Sequence, residues 1–407
     1  MNHHSYEGCC CCIQYKILPR DKKQENQILT RTSVHKKRSD SLTGITTDIK
    51  DTTDTVLIVN PKSSSGSTGK DWKNLFIKIK KTFGKNPKVA FTKKSGDGRT
   101  LTRKFLKKGF KKIVAIGGDG TINEVANGFF CVEKRPIRSS YVANVGNKNN
   151  YNIDNKHNAN ASAIVDSMVV KAINSDAIMG VLPSGTRNVL VKSLDMPDGI
   201  EECCQTFVCG KQKKIDVISV AATDPETRLS LPIRIFLNAA EIGIAAEIID
   251  KSKKIRNKIN SRLISTVSSL MSTVPTYEST IYEIIIDDGR ETILTRVTMC
   301  IVANGKYLGG GFKAAPNAVV SDGLLDIVIL KNSNSLEMVS NFINIKNGTY
   351  DKDDDVFYIQ AKKVSIKPKE EEEEIKKRDI AVTIDGEPLG ILPATFQIIH
   401  DALTVRM

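Results

Sequence analysis

The sequence predicts two folded domains in series, an α/β domain built on a parallel sheet and then a mainly β domain, behind a polar tail. Three observations predict it. Between residues 55 and 116, short, wholly apolar runs alternate with stretches of helical periodicity, the pattern of strands buried on both faces. After Lys214 the texture changes to β-rich runs separated by turn residues. The length of 407 residues suits two domains, or three at most, at about 150 residues each.

The elements follow in order. Residues 1–52 are polar, with scattered Lys, Arg, Ser and Thr and no sustained period, and read as a flexible tail. The apolar run at 56–59 is the first strand, stopped by Asn60-Pro61. Trp72, Leu75, Phe76, Ile79 and Phe83 recur at helical spacing in a helix from Asp71, and Leu101, Phe105 and Leu106 do so in one near 100–108. Apolar strands at 88–91 and 113–116 follow these helices. The α/β domain spans 53–212 and carries an Asn-rich insertion at about 133–175, with a short helix at 161–172. The mainly β domain spans 213–407, with strands at 281–286, 296–302, 325–330 and 356–360, and its last strand can pack back on the first domain. The acidic run at 370–374, followed by Lys376-Lys377-Arg378, reads as a solvated loop or helix end.

Composition bounds the function. Hydrophobic residues at 40% and charged residues at 26% exclude collagen-like and wholly disordered chains. The net charge of +14 is carried by one stretch, because residues 70–112 hold sixteen Lys and Arg against Asp71 and Asp97. A protein built around nucleic acid would spread basic residues over several elements with aromatic stacking positions among them, so no nucleic-acid partner is expected. The stretch suits an anionic membrane surface or a phosphate ligand, or it is the solvated faces of two amphipathic helices. Nine cysteines, four of them at 9–12, are too irregular for a disulfide framework and point to the reducing cytoplasm. No signal peptide is visible, and the apolar stretch at 235–249 is broken by Asn238, Glu241 and Glu247, so any membrane contact is expected to be peripheral.

The decisive segment is Ile116-Gly117-Gly118-Asp119-Gly120-Thr121-Ile122-Asn123-Glu124-Val125. It leaves a buried strand and enters a helix, so backbone N–H groups and the helix dipole converge there on an anion site, and the glycines let phosphate approach the backbone. Thr121 and Glu124 at this spacing also form a capping box. Two familiar phosphate motifs are excluded. A dinucleotide fingerprint wants glycine where Asn123 stands, and residues 64–70 lack the first glycine of a P-loop, with Asp71 in place of its Ser/Thr. The chain has six Asp-Gly pairs, of which those at Asp97, Asp198 and Asp288 read as ordinary turns.

From residue 56 to the C-terminus the sequence resembles the lipid kinases of the diacylglycerol kinase catalytic-domain type, which include sphingosine kinases and soluble bacterial lipid kinases. Five motifs carry the resemblance in order: Asn60-Pro61 with the Ser/Gly loop through Gly69; residues 117–124; Gly180-Val-Leu-Pro-Ser-Gly-Thr-Arg-Asn188; Asn304-Gly305 with Gly309, Pro316 and Ser321-Asp322-Gly323; and Ile384-Asp385-Gly386-Glu387. The resemblance implies a Rossmann-like parallel-sheet nucleotide domain followed by a mainly antiparallel β-sandwich domain that binds lipid. It implies ATP and Mg²⁺ as cofactors and transfer of the γ-phosphoryl group to a lipid hydroxyl, of diacylglycerol or a related diradylglycerol, at an anionic membrane surface. Asp385 would accept the hydroxyl proton, Glu387 would assist it, and Asp119 would act through Mg²⁺ or a bound water. The nucleotide would meet Asn60, Thr92, Gly117, Gly118, Asp119, Gly120, Thr121, Ile122, Asn123, Gly185 and Thr186. A second, structural Mg²⁺ would sit at Asp322 with the carbonyls of Val319 and Leu324, and Asp216 would count with these metal residues and be a candidate for the Asp119 network.

One departure matters. After the Gly-Thr the family commonly has Gly or Ala, then Asn, then Asp; here Thr186 is followed by Arg187, Asn188 and Val189. Arg187 either contacts phosphate or covers the helix, and the second is the expectation. Sphingoid-base kinase, NAD kinase-like enzyme and a catalytically weakened nucleotide- or lipid-binding relative are the alternatives. A homodimer is compatible with the sequence.

Overall fold

Strand β1 (Thr55–Val59) lies at the centre of a parallel sheet because every one of its residues is apolar or small enough to bury on either face. The structure, a computed structural model, describes residues 54–84, 86–134, 168–259, 269, 272–309, 312–331, 335–350, 355–369 and 379–407. The tail at 1–52, the acidic block at 370–374 and most of the Asn-rich insertion lie outside the described residues.

After β1 come a short helix α1 (Ser67–Lys70), helix α2 (Trp72–Phe83), strand β2 (Lys88–Phe91), helix α3 (Asp97–Lys107), strand β3 (Lys112–Gly117) and helix α4 (Asp119–Gly128). Strands β4 (Phe130–Lys134) and β5 (Met168–Ala172) flank the insertion, and β6 (Ile178–Pro183), α5 (Val189–Ser193) and α6 (Ile200–Cys209) complete the first lobe. β1 pairs parallel with both β2 and β3, and β3 pairs parallel with β6. Alternate residues serve the two faces. Val56, Ile58, Ile113 and Ala115 pack on Phe105, Leu106, Ile122 and Val125, while Leu57, Val59, Val114 and Ile116 pack on Ile79, Cys203, Cys204 and Phe207. Each large apolar side chain so buried contributes roughly 1.5–3 kcal/mol.

The second lobe comprises β7 (Gln212–Thr223), β8 (Arg234–Phe236), β9 (Ala239–Gly243), helix α7 (Ile244–Ile259), β10 (Thr280–Ile286), β11 (Glu291–Ala303), β12 (Leu325–Lys331), helix α8 (Ser335–Asn347), β13 (Val356–Ala361), β14 (Lys363–Pro368), β15 (Ala381–Ile384) and β16 (Glu387–Arg406). Its strands pair antiparallel around a core that includes Phe236, Tyr282, Ile284, Val302, Ile327 and Phe396. The end of β16 then joins the first lobe, with Thr404 and Val405 pairing parallel to Ile178 and Met179. One hydrogen-bonded sheet therefore runs through both lobes, and residues 52–407 form one compact unit. No helix among the described residues is long and apolar enough to cross a membrane.

Three local expectations are corrected. Residues 168–172 are a strand and not the end of a helix, because Val169 and Val170 find partners on Glu133 and Val132 across an antiparallel ladder. Asp97 does not make a free turn but opens α3, its carboxylate accepting the N–H groups of Lys93 at 2.8 Å and Lys94 at 3.0 Å. The Thr121–Glu124 capping box does not form. The first-turn N–H groups of Thr121 and Ile122 reach Gly118 O instead, at 2.9 and 3.1 Å. Glu124 turns away to cap α3, accepting from Gly96 N at 2.7 Å, Gly98 N at 2.9 Å and Ser95 Oγ at 3.1 Å.

Candidate active site

The carboxyl ends of β1, β2, β3 and β6 form one edge of the parallel sheet, where ligands of such sheets bind. Two glycine turns meet there. Gly118 leaves β3 in an extended conformation and Asp119 begins α4, while Ser184 continues the ladder through its N–H to Gly117 O at 2.9 Å and leads into Gly185. The approach excludes any side chain: a Cβ on Gly185 would stand 2.6 Å from Gly118 Cα, and one on Gly117 would stand 2.6 Å from Thr121 Cβ. Backbone therefore faces backbone, leaving amides where anionic oxygens can approach.

Around this pair stand hydroxyl and amide side chains. Asn60 at the end of β1 donates to Thr121 Oγ1 at 3.0 Å, fastening the first loop to α4. Ser63 Oγ lies 2.8 Å from Thr68 Oγ1, whose hydroxyl also meets that of Ser184, so the first loop and the β6 loop share a small buried hydroxyl cluster. Thr92 is buried at the end of β2, its N–H bonded to Val59 O at 2.9 Å, and Thr186 is exposed. Asp119 accepts the N–H of Val189 at 2.7 Å and thereby pins the β6 loop to the start of α4. Burial raises the Asp119 carboxyl above its usual range, opposed by the amides of Val189 and Leu190 and by the charge of Arg187.

The second lobe closes over these turns. Asp385 occupies the tight turn between β15 and β16, with φ of 47° at Asp385 and 75° at Gly386. Its carboxylate accepts four N–H groups: Asn123 Nδ2 at 2.7 Å, Leu237 N at 3.1 Å, Asn238 N at 2.9 Å and Ala239 N at 3.2 Å. Burial pushes this carboxyl up while those donors pull it down, the burial being the larger effect. Asn127 adds a reciprocal pair with Ile235, its Nδ2 donating at 2.6 Å and its Oδ1 accepting at 2.9 Å, so α4 carries both the glycine turn and the stitches to the second lobe. Glu387 lies over the first turn of α4, its Oε1 3.7 Å from where a Cβ on Gly120 would stand.

Asp119, Ile122, Asn123, Arg187, Asn238, Glu241 and Asp385 are among the residues lining the resulting cleft, which opens to solvent. Glu241 was missed by sequence reasoning, which took it only as a break in an apolar stretch. It is buried on β9, accepts Thr383 Oγ1 at 2.6 Å, and is pushed up to about 7 by burial. Its signal in the sequence is a lone acid within Ala239-Ala240-Glu241-Ile242, where an unpaired carboxylate costs too much unless it serves a site. Arg187 does not cover a helix; it is half-buried and turned into the cleft.

Asp216 is elsewhere. It is fully buried at the turn that follows Val319 and accepts Gly323 N at 2.7 Å, Asp401 N at 2.7 Å and a contact from His400 Nδ1 at 2.8 Å. It therefore does not join the Asp119 network. Asp322 is exposed in that turn and accepts Leu324 N at 3.0 Å, while Val319 O accepts Ser321 N at 2.7 Å. The Asp322 carboxylate and the carbonyls of Val319 and Leu324 are oxygen donors, the chemistry hard cations prefer, and Asp216, with His400 beside it, supports the turn from behind through Gly323.

Both halves of the chain resemble known proteins. Residues 54–220 match the model of the diacylglycerol kinase catalytic domain, and residues 239–407 match that of the YegS C-terminal NAD kinase beta sandwich-like domain. The chain is 24% identical over 315 residues to a diacylglycerol kinase of Bacillus subtilis, covering 77% of this chain and 83% of that protein. It is 22% identical over 341 residues to a diacylglycerol kinase of Staphylococcus carnosus, covering 84% of this chain and 90% of that one. Among solved structures, a diacylglycerol kinase from Bacillus anthracis superposes with a TM-score of 0.57 at 23% identity, over 86% of this chain and 96% of its own, a likeness of fold.

Proposed function

We propose, for a chain that belongs to the family of the diacylglycerol kinase catalytic domain and is a lipid kinase, that it transfers the γ-phosphoryl group of ATP to the free hydroxyl of a diradylglycerol, diacylglycerol first among them. The observation that supports this most is the abutting pair of glycine turns at Gly118 and Gly185, with the Asp385 carboxylate of the second lobe bonded to Asn123 on the helix that leaves the first of them. Phosphoryl transfer asks for positioning and charge neutralisation more than for covalent chemistry, and these parts supply both. Asn60, Thr92, the 117–123 turn, Gly185 and Thr186 bind the nucleotide. Asp119 would hold Mg²⁺, which when bound would neutralise charge on the phosphates. Asp385 takes the hydroxyl proton, its position fixed by three backbone amides and Asn123 and its basicity raised by burial. Glu387 stands beside it over α4. A second Mg²⁺ at Asp322, with the carbonyls of Val319 and Leu324, would brace the 319–324 turn.

Radiolabelled ATP offered with a panel of lipid alcohols and NAD, followed by organic extraction, tests the reading. Label in the organic phase with diacylglycerol supports it; label only in a sphingoid base, or only in aqueous NAD, replaces it with the corresponding kinase.

A further inference from the structure

The cleft between the start of α4, the loop after β6 and the second lobe is acidic. Asp119, Glu241 and Asp385 all line it, and Arg187 is the one cation among its lining residues. ATP brings a polyanion into this setting, so its terminal phosphate needs a fixed positive partner beyond a metal ion.

Arg187 is built for that place. The backbone on both sides of it is pinned: Gly185 N donates to Asn188 Oδ1 at 3.2 Å, and Val189 N donates to Asp119 Oδ1 at 2.7 Å. Its guanidinium lies in a slot between two glycines of the second lobe. A Cβ on Gly309 would come within 2.9 Å of Nη1, and one on Gly386 within 3.7 Å of the same atom. Arg187 makes no ion pair within 4.0 Å with any of the three carboxylates, although its charge holds Asp119 and Glu241 toward their ionised forms. Its fork of donors is thus near the acids without being consumed by them, two residues along the chain from the Gly185 turn.

We propose that Arg187 clamps the γ-phosphate of ATP in this cleft, positioning it for transfer and stabilising the charge that develops on its equatorial oxygens. This rests on the reading of the cleft as the ATP site. A guanidinium suits the task because its planar donors pair with two phosphate oxygens at once. In the step itself the lipid hydroxyl oxygen bonds to the γ-phosphorus, the bond from that phosphorus to the β–γ bridging oxygen breaks to leave ADP, and the hydroxyl proton passes to Asp385. Arg187 donates hydrogen bonds throughout and exchanges no proton.

The test compares ATP and ADP affinity at fixed Mg²⁺ for wild type, Arg187→Ala, Arg187→Lys and Gly309→Ala, together with lipid turnover and melting temperature. Arg187→Ala should weaken ATP roughly tenfold or more and ADP by less than about threefold, because only ATP carries the γ-phosphate, and turnover should fall about a hundredfold or more. Arg187→Lys keeps the charge and loses the fork, so it should fall between. Gly309→Ala should reproduce the ATP-selective loss by pushing Nη1 aside. If Arg187 is only a counter-ion for Asp119 and Glu241, Arg187→Ala will shift ATP and ADP alike and lower the melting temperature, and that unchanged ratio overturns the proposal. Wild-type protein that binds neither nucleotide would overturn the ATP site itself; wild type that binds ATP and labels lipid while Arg187→Ala keeps its ATP-to-ADP ratio overturns the clamp alone.

Discussion

Glu241 is a carboxyl with one hydrogen bond, from Thr383, in a buried setting that already holds Asp385. Its folded value of about 7 lies above its ordinary 4.5, so the folded state binds the proton more tightly than the unfolded chain does. Stability is therefore highest below about pH 4.5 for this group and is lost as pH rises toward 7, in total on the order of 3 kcal/mol. Glu241→Gln, which keeps the shape and cannot ionise, should match wild type at about pH 4 and melt higher than wild type at pH 8. Equal melting temperatures at pH 8 would show that the group stays ionised at little cost. The residue also marks the reach of sequence reasoning. Asp119, Asn123 and Asp385 were legible because Gly-Gly-Asp-Gly-Thr and Asp-Gly-Glu are strings, whereas Glu241 joins them only through the pairing of β9 with β15, which puts Thr383 beside it.

At the scale of elements, α4 organises the site and α3 depends on it. Glu124 leaves its own helix uncapped and takes three donors at the start of α3, so Glu124→Ala should destabilise the protein by about 1–2 kcal/mol, more than an exposed helix residue would. Chemical denaturation measures it; a loss below about half a kcal/mol would mean that water replaces the carboxylate. The strands of the first lobe were readable from their unbroken apolar runs, since both faces of β1 and β3 are covered. The helices α7 and α8 were not, because each sits in a half dominated by β-branched runs and buries its apolar side against the second lobe's sheet rather than in a repeating βαβ unit. The separation of Asp216 from Asp119 was not readable for a related reason. Asp216 lies on β7, and only the long pairing of β7 with β16 shows that it points to Asp401 and not toward Asp119.

Over the whole molecule, the basic stretch divides between α2 and α3, which cover opposite faces of the parallel sheet and meet around its edge strand β2. Trp72 of α2 packs edge-on to Phe91 of β2 at 5.2 Å, and Lys88 of β2 lies 5.8 Å over the Phe105 ring of α3. Ile77 and Phe91 are exposed within this basic stretch, and exposed apolar side chains in a cationic segment are what an anionic bilayer surface would attract. Reversing Lys104, Lys107 and Lys108 to Glu should weaken sedimentation with anionic vesicles at physiological salt by tenfold or more, at about 1 kcal/mol for each basic residue near the surface. Sedimentation like wild type would assign the stretch to ordinary solvated helix faces. The central claim is that phosphoryl transfer to lipid occurs where Asp385 of one lobe closes on the glycine turns of the other. Its most direct measurement is label transfer from ATP into diacylglycerol-containing vesicles by wild type and Asp385→Asn, with ATP affinity measured on both. Wild type should label the lipid, and Asp385→Asn should lose about a hundredfold or more in turnover while still binding ATP; label transfer at the wild-type rate by Asp385→Asn would contradict the account.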